Sequence, residues 1–549
     1  MAHDKRSESN SGVPDFFRRV VIEHVSPEID EGRFPVKRTV GERVTVSADI
    51  FTDGHDEIAA VLRYRNEGDA AWREVPLRET GNDRWTGSFP VGSPGRSLYT
   101  IAAWVNRFRT WRRDLAKKAD AGQDVRVDLM AGAEMVGETA GRAKGAARKV
   151  LLEAADALKA KTGEETGEAV RRALDESLLR RMEEHPDLGT ATFYGKELPV
   201  TVDRERARYG AWYELFPRSC SPVPGEHGTF RDVAGRLPTI AAMGFDVLYL
   251  PPVHPIGRTH RKGRNNVTEP APDDVGSPWA IGSEEGGHKA VHPALGTLED
   301  FRSLLSKAGE YGIEIALDIA FQCSPDHPYV REHPEWFRRR PDGTVQYAEN
   351  PPKKYEDIYP FDFETPDWPA LWEELRSVVR FWIDQGVRIF RVDNPHTKPF
   401  AFWEWLIGGI REEFPETIFL SEAFTRPKVM YRLAKAGFSQ SYTYFAWRNS
   451  KWELAGYFRE LTETGVREYF RPNLWPNTPD ILTEQLQFGG RPAFLARLVL
   501  AATLGASYGI YGPAYELCEN RPVGPGKEEY LDSEKYAVRN WDIDRPDSL

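Results

Sequence analysis

At 549 residues the chain has room for three or four domains of ~150 residues, or for one large barrel with added modules. It can bury a large core without disulfide or metal support. Lys and Arg number 73 against 84 Asp and Glu, a net charge of −11, so the basic footprint of a nucleic-acid binder is missing. Cys220, Cys323 and Cys518 are far apart and show no metal-binding spacing. The opening MAHDKRSESNSG has no apolar core, and no run of about 18 apolar residues follows. A cytoplasmic protein with no membrane contact is expected.

Residues 1–13 are polar and read as a disordered tail. Residues 14–128 read as all-β. The stretches Val44–Phe51, Ala60–Arg65 and Leu98–Trp104 alternate with period two, separated by Gly/Asp/Asn/Pro turns. This spacing predicts an immunoglobulin-like sandwich. Residues 129–200 turn rich in Ala, Glu, Lys and Arg and predict a helical insert. Leu151, Ala155 and Leu158 line one helix face, and Val170, Leu174 and Leu178 line another. Two such helices bury little alone. A small insert against its own chain and a subunit contact are about equally compatible with the pattern.

Residues 201–549 alternate strand and helix. Apolar runs at Tyr209–Phe216, Phe245–Pro251, Ile313–Phe321, Val387–Val392, Ile418–Phe424, Tyr442–Trp447, Tyr469–Leu474 and Tyr508–Tyr511 make eight strand candidates. That is the count of a (β/α)₈ barrel. The interval 322–366 is too long for a barrel loop and predicts a small functional subdomain after the third strand. Beyond the eighth strand no eighth helix is apparent. The barrel is therefore expected to be cut short, with apolar surface exposed beside its first and eighth strands.

Barrel sites lie at the C-terminal strand ends. There the chain carries Asp318, Arg391-Val392-Asp393-Asn394, Ser421-Glu422-Ala423 and Asn477-Thr478-Pro479-Asp480. One strand-end Asp is usually a cap or a surface charge. Several convergent carboxyls with an Arg two residues before one of them raise a carboxyl pKa, as a general acid requires. A nucleophile and an acid about 5.5 Å apart perform retaining glycosyl transfer.

This constellation resembles the α-amylase superfamily, glycoside hydrolase family 13. Gly386–Asp393 matches its nucleophile motif, Phe419–Glu422 its acid motif, and Asp480 its third carboxylate. Leu317-Asp318, Tyr213–Ser219 and Tyr511-Gly512…Glu516 match its third, first and eighth strands. Gln322-Cys323 and Pro479 stand where that superfamily usually has sugar-gripping His. With Leu250–Gly257, Ala348–Tyr355 and Arg391–Lys398, the chain looks like the α-1,4-glucan:maltose-1-phosphate maltosyltransferases of bacterial glycogen metabolism.

The resemblance implies Asp393 as nucleophile, Glu422 as acid/base, Asp480 as transition-state stabiliser and Arg391 as the group orienting Asp393. It implies Gln322 and Lys262 as maltosyl contacts, and Asn350, Lys353, Tyr355 and Asn394 as phosphate contacts. It also implies a homodimer, and a C-terminal β-domain that is expected to be cut off here. The substrates implied are α-maltose 1-phosphate and α-1,4-glucan, with phosphate as product. From the residues alone, Lys353-Lys354 reads as a solvated loop pair. His254 is open between sugar contact and core, and His396 and Lys398 between site support and rim packing.

No Walker loop or dinucleotide fingerprint is present, and Gly282…Gly286-Gly287 lacks a phosphate-binding signature. No metal cage is evident, and no cofactor is expected. Two rivals remain at this level. One is a sister hydrolase, glucanotransferase or trehalose synthase, which the missing His disfavour. The other is a non-catalytic glucan binder, which the intact carboxylates disfavour.

Overall fold

The computed structural model describes residues 17–159 and 163–549. The tail expected at 1–13 lies outside the described residues. The chain divides into two units, Met1–Val91 with Arg96–Val200, and Gly92–Gly95 with Thr201–Leu549.

In the N-terminal unit one sheet runs in the order Val21–Ser26, Arg43–Phe51, Arg84–Pro90, Arg78–Gly81. The second runs Val36–Thr39, Leu198–Asp203, Gly95–Val105, Ile58–Asn66, Arg73–Pro76, with Thr192–Phe193 beside Gly95–Val105. Val44, Val46, Ala48 and Ile50 alternate inward along their strand and are fully buried, as a one-sided sheet requires. Phe89 of the first sheet stacks on Tyr64 of the second at 4.6 Å, so the sheets share one core.

Two boundaries differ from the sequence expectation. The all-β reading of 14–128 stops at Val105. The Asn106 side chain accepts from Arg109 N at 3.0 Å and starts a helix, Arg107–Asp120. The sheet takes strands back at 192–203, inside and just beyond the expected insert. The helical part holds five helices rather than two: Arg107–Asp120, Arg126–Arg142, Gly145–Ala157, Gly163–Ala173 and Glu176–Glu183. Val170, Leu174 and Leu178 do not share one helix, because Asp175 caps a new one through Ser177 N. Leu151, Ala155 and Leu158 are buried together.

In the C-terminal unit seven strands form one parallel sheet in the order Gln440–Ser441, Ile418–Glu422, Ile389–Asp393, Glu314–Ile319, Val247–Leu250, Gly210–Glu214, Ser507–Tyr511. Single parallel bridges Ser441↔Pro472 and Leu474↔Tyr508 close the circle. The seventh wall in chain order is thus three residues long, 472–474. The expected sixth strand, Tyr442–Trp447, is a correction: pairing ends at Ser441. The Thr443 hydroxyl accepts from Phe445 N and turns the chain into a short 3₁₀ segment, Tyr444–Trp447.

Trp212, Tyr249, Tyr442 and Trp475 fill the barrel interior, with Tyr442 stacked on Trp475 at 5.0 Å. A Cβ on Gly509 would enter the Trp475 ring, so this wall position accepts glycine alone. The plug leaves open space at the C-terminal strand ends.

The chain leaves the barrel sheet between Ile319 and Ile389. It pairs Gln322–Cys323 with Tyr359–Pro360 and folds Ala348–Asn350 against Lys353–Tyr355. Among residues 517–549 no helix forms. Leu495, Val499 and Leu504 are exposed on the helix Glu484–Leu504 that precedes the eighth strand, and Tyr209 is exposed before the first.

Candidate active site

Along Ile389–Asp393 every second residue faces the barrel axis, so Arg391 and Asp393 point the same way. Parallel register sets Asp393 level with Glu422 and Asp318 level with Arg391 on neighbouring strands. Three carboxyls therefore surround one guanidinium. Arg391 Nη1 donates to Asp318 Oδ2 at 2.8 Å and to Asp393 Oδ1 at 2.9 Å, and Nη2 lies 3.4 Å from Glu422 Oε1.

One buried cation cannot stabilise three carboxylates. Burial pushes the Glu422 carboxyl up to about 7, with Arg391 opposing and Asp393 reinforcing the shift. Burial also raises Asp318 to about 7, again against Arg391. Tyr249 Oη donates to Asp318 Oδ2 at 2.5 Å. The Asn394 backbone N–H donates to Glu422 Oε2 at 3.2 Å. Asn394 does so from the left-handed region, φ 43°, which Asn tolerates better than most residues. Asp480 stands at the outer edge, ion-paired with Lys535 at 2.9 Å.

Asp393, Glu422, Asp480, Gln322, Asn350, Lys353, Tyr355 and Asn394 all border one cavity of about 900 Å³, within the range of small-molecule clefts. Arg391 lies behind its carboxylates. Lys262 does not border the cavity: it is buried and donates to Glu356 Oε2 at 2.8 Å. Lys353 is half-exposed, and its Nζ donates to Glu529 Oε1 at 2.5 Å. His396 and Lys398 border the cavity. His254 is a core residue, 2% exposed, its Nδ1 3.0 Å from Ala290 O.

Sequence reasoning missed part of the wall. Asp357 comes from the excursion, and Glu529, Lys535 and Tyr536 come from the irregular stretch after the barrel. The Lys535 ammonium sits 5.1 Å from the centre of the Trp279 ring. The available signal was the polar and aromatic content of 517–549, which carries no periodicity.

Among the described residues one cluster has metal-ligand chemistry: His288, Cys323 and His327, all buried. Its hydrogen bonds argue against that use. Tyr329 N–H donates to His327 Nδ1 at 3.0 Å, so the neutral ring carries its proton on Nε2. That proton goes to His288 Nδ1 at 3.0 Å, and His288 Nε2 donates to Ala320 O at 3.0 Å. No ring lone pair is left for an ion. Gly282 and Gly287 press against the His327 ring where a Cβ would not fit, which accounts for the glycines of that loop.

The family model described as "Alpha-1,4-glucan:maltose-1-phosphate maltosyltransferase, domain N/S" matches residues 18–204. A protein of that enzyme name from Chlorobaculum tepidum is 60% identical over 532 residues, covering 97% of this chain and 79% of its own. One from Myxococcus xanthus is 56% identical, covering 96% and 80%. Among solved structures, an α-amylase from Lactobacillus plantarum superposes with a TM-score of 0.48 at 20% identity, covering 63% of this chain and 78% of its own.

Proposed function

The chain belongs to the α-1,4-glucan:maltose-1-phosphate maltosyltransferase family, and from that premise we propose how its barrel site works. It transfers a maltosyl unit from α-maltose 1-phosphate to the non-reducing end of an α-1,4-glucan and releases phosphate. The supporting observation is the Arg391 fork, which contacts both Asp393 and Glu422 on adjacent strands at one level. Two carboxyls meeting one guanidinium from adjacent strand ends suit double displacement, in which a nucleophile and an acid share one site.

In the first step an Asp393 oxygen attacks the anomeric carbon, and the bond from that carbon to the phosphate oxygen breaks. Glu422 gives its proton to the departing oxygen. Its raised pKa supports this role, since a protonated carboxyl must exist near neutrality. In the second step the acceptor hydroxyl attacks the same carbon and passes its proton to Glu422. The ester bond breaks, Asp393 is restored, and two inversions leave the α configuration.

Arg391 orients Asp393 by donating to its Oδ1 at 2.9 Å. Asp480, fixed by Lys535, holds ring hydroxyls of the distorted sugar. Gln322 faces the donor, and Lys262, held behind the wall by Glu356, reaches it only when that pair opens. Asn350, Lys353, Tyr355 and Asn394 contact the phosphate. Asp357 and Tyr536 complete the donor wall.

The experiment is incubation with α-maltose 1-phosphate, with and without maltohexaose. Phosphate release with glucan extension supports the reading, and no phosphate in either case rejects it. A homodimer is part of the proposal. Val127 and Met130, 79% and 58% exposed one turn apart on Arg126–Arg142, support it. So is a reducing, cytoplasmic setting, supported by three unpaired cysteines. No helix among the described residues is long and apolar enough to cross a membrane.

A further inference from the structure

The donor reaches the cavity as a phosphate monoester, and its leaving group must meet positive charge. Three lysines border the cavity among the described residues: Lys353, Lys398 and Lys535. Two are already neutralised, Lys353 by Glu529 at 2.5 Å and Lys535 by Asp480 at 2.9 Å. Lys398 is different. Its Nζ donates only to neutral oxygens, Thr397 Oγ1 at 3.0 Å and Asn394 O at 3.4 Å. One N–H of its ammonium is left over, and Asp393, Glu422 and Asp318 attract its charge only through space.

The position of that charge is fixed from below. Asn394, in the left-handed conformation, turns its N–H to Glu422 Oε2 and its carbonyl to Lys398. One residue's main chain thus ties the acid and the ammonium together. The short turn Pro395–Thr397 is held by Thr397 Oγ1 donating to Asn394 O at 2.8 Å. Trp403, fully buried, anchors it by donating to Pro395 O at 2.9 Å. The group that protonates the leaving oxygen and the unpaired ammonium therefore share one rigid corner.

We propose that Lys398 holds the phosphate leaving group, as the cavity lysine that no carboxylate contacts directly. The inference rests on the maltosyl phosphate donor argued above. As the anomeric C–O bond breaks, the bonding pair stays with the phosphate oxygen and the Glu422 proton moves onto that oxygen. Glu422 becomes a carboxylate beside a hydrogenphosphate dianion. Lys398 offsets the repulsion between these two anions, which grows as the step proceeds and is greatest when the phosphate is free. A neutral sugar acceptor presents no such charge, so Lys398 discriminates between donors by leaving group rather than between glucans.

The test compares two donors on the full chain. Lys398→Met keeps the apolar stem and removes the charge, and Lys398→Arg restores charge with altered geometry. With α-maltose 1-phosphate, Lys398→Met is expected to lose about a hundredfold in kcat/KM, the scale of a lost charge-assisted hydrogen bond. With α-maltosyl fluoride, whose leaving group lacks phosphate charge, the same variant should transfer to maltohexaose within about threefold of the parent. Lys398→Arg should recover at least tenfold with the phosphate donor. Inorganic phosphate should inhibit fluoride turnover by the parent, and far less by Lys398→Met.

Equal losses on both donors would overturn the proposal, and so would no loss on either, or a rise confined to the KM for maltohexaose. Fluoride turnover also reports that the variant is folded. If the unmodified protein releases no phosphate from α-maltose 1-phosphate, the functional reading itself fails. A parent that is active and a variant that is unaffected count against Lys398 alone.

Discussion

The charge balance around Arg391 makes a prediction about pH. Glu422 lies in a buried site where one guanidinium serves three carboxyls, and burial pushes it up to about 7. The first chemical step needs Glu422 protonated. Its protonated fraction is about one half at pH 7 and falls tenfold per unit well above that. With α-maltose 1-phosphate, kcat/KM should therefore fall on the alkaline side with a midpoint near 7. Asp318 is raised to about 7 in the same network, so the midpoint belongs to the pair.

Glu422→Gln separates the acid from its surroundings. It keeps the side-chain shape, cannot give a proton, and should cost about 10²–10⁴-fold with the phosphate donor. The alkaline limb should disappear from whatever activity remains. α-Maltosyl fluoride needs less proton assistance, so the first step should survive in this variant. The second step lacks its base and should stall. Intact-protein mass spectrometry should then show the enzyme heavier by one maltosyl unit. Phosphate release followed from pH 5.5 to 9 checks the limb. A flat profile across that range refutes the assignment, as does the same limb persisting in Glu422→Gln.

Asp393→Ala should abolish turnover of both donors while maltohexaose binding, measured by calorimetry, persists; lost binding would make Asp393 structural. His254, His288 and His327 are held neutral by burial, at about 3, 4 and 2 against an unfolded value near 6.5. Each takes up its proton on unfolding below about pH 6.5, so the stability it contributes is present above that pH. That stability is lost as pH falls, by up to ~1.4 kcal/mol per unit for each histidine. The raised carboxyls act in the opposite sense, so the comparison is one of slopes. Urea unfolding between pH 6.5 and 4.5 should be less pH-dependent in His254→Leu than in the parent, and equal slopes would count against the assignment. Val127→Asp with Met130→Glu should convert a dimer to a monomer by light scattering and leave the thermal midpoint within a few degrees; an unchanged mass places the contact elsewhere.

The parts of the molecule legible in its sequence are those set by local periodicity. Arg391 and Asp393 are two apart on a buried strand, so their common direction follows once the strand is recognised. The same holds for Glu422 at the end of Ile418–Glu422 and for the buried face of Gly145–Ala157. The sixth and seventh barrel walls were harder because side chains do what a backbone ladder does elsewhere. Asn473 Nδ2 donates to Gln440 Oε1 at 3.0 Å, and Gln440 Nε2 donates to Ala207 O at 2.9 Å and to Ser507 Oγ at 3.2 Å. Polar residues packed inside a barrel give no strand signal. The helix at Arg107–Asp120 was hidden for a related reason: the alternation of Leu98–Trp104 runs up to it, and Asn106 alone marks the change.

Charge partners were the least legible feature. Lys262 and Lys353 each matched a ligand-binding position, and each meets a glutamate, Glu356 or Glu529. Glu529 lies 176 residues from Lys353. A motif can name a cation but not the carboxylate that meets it in space. Pairing Lys353 with Glu529 offsets that lysine's charge toward phosphate, so its full charge is presented only when the pair opens. Lys398 can act without such an exchange. Two lysines that look equivalent by motif therefore differ in the energy needed to present their charge, and that difference is set by the fold that brings residue 529 to the cavity.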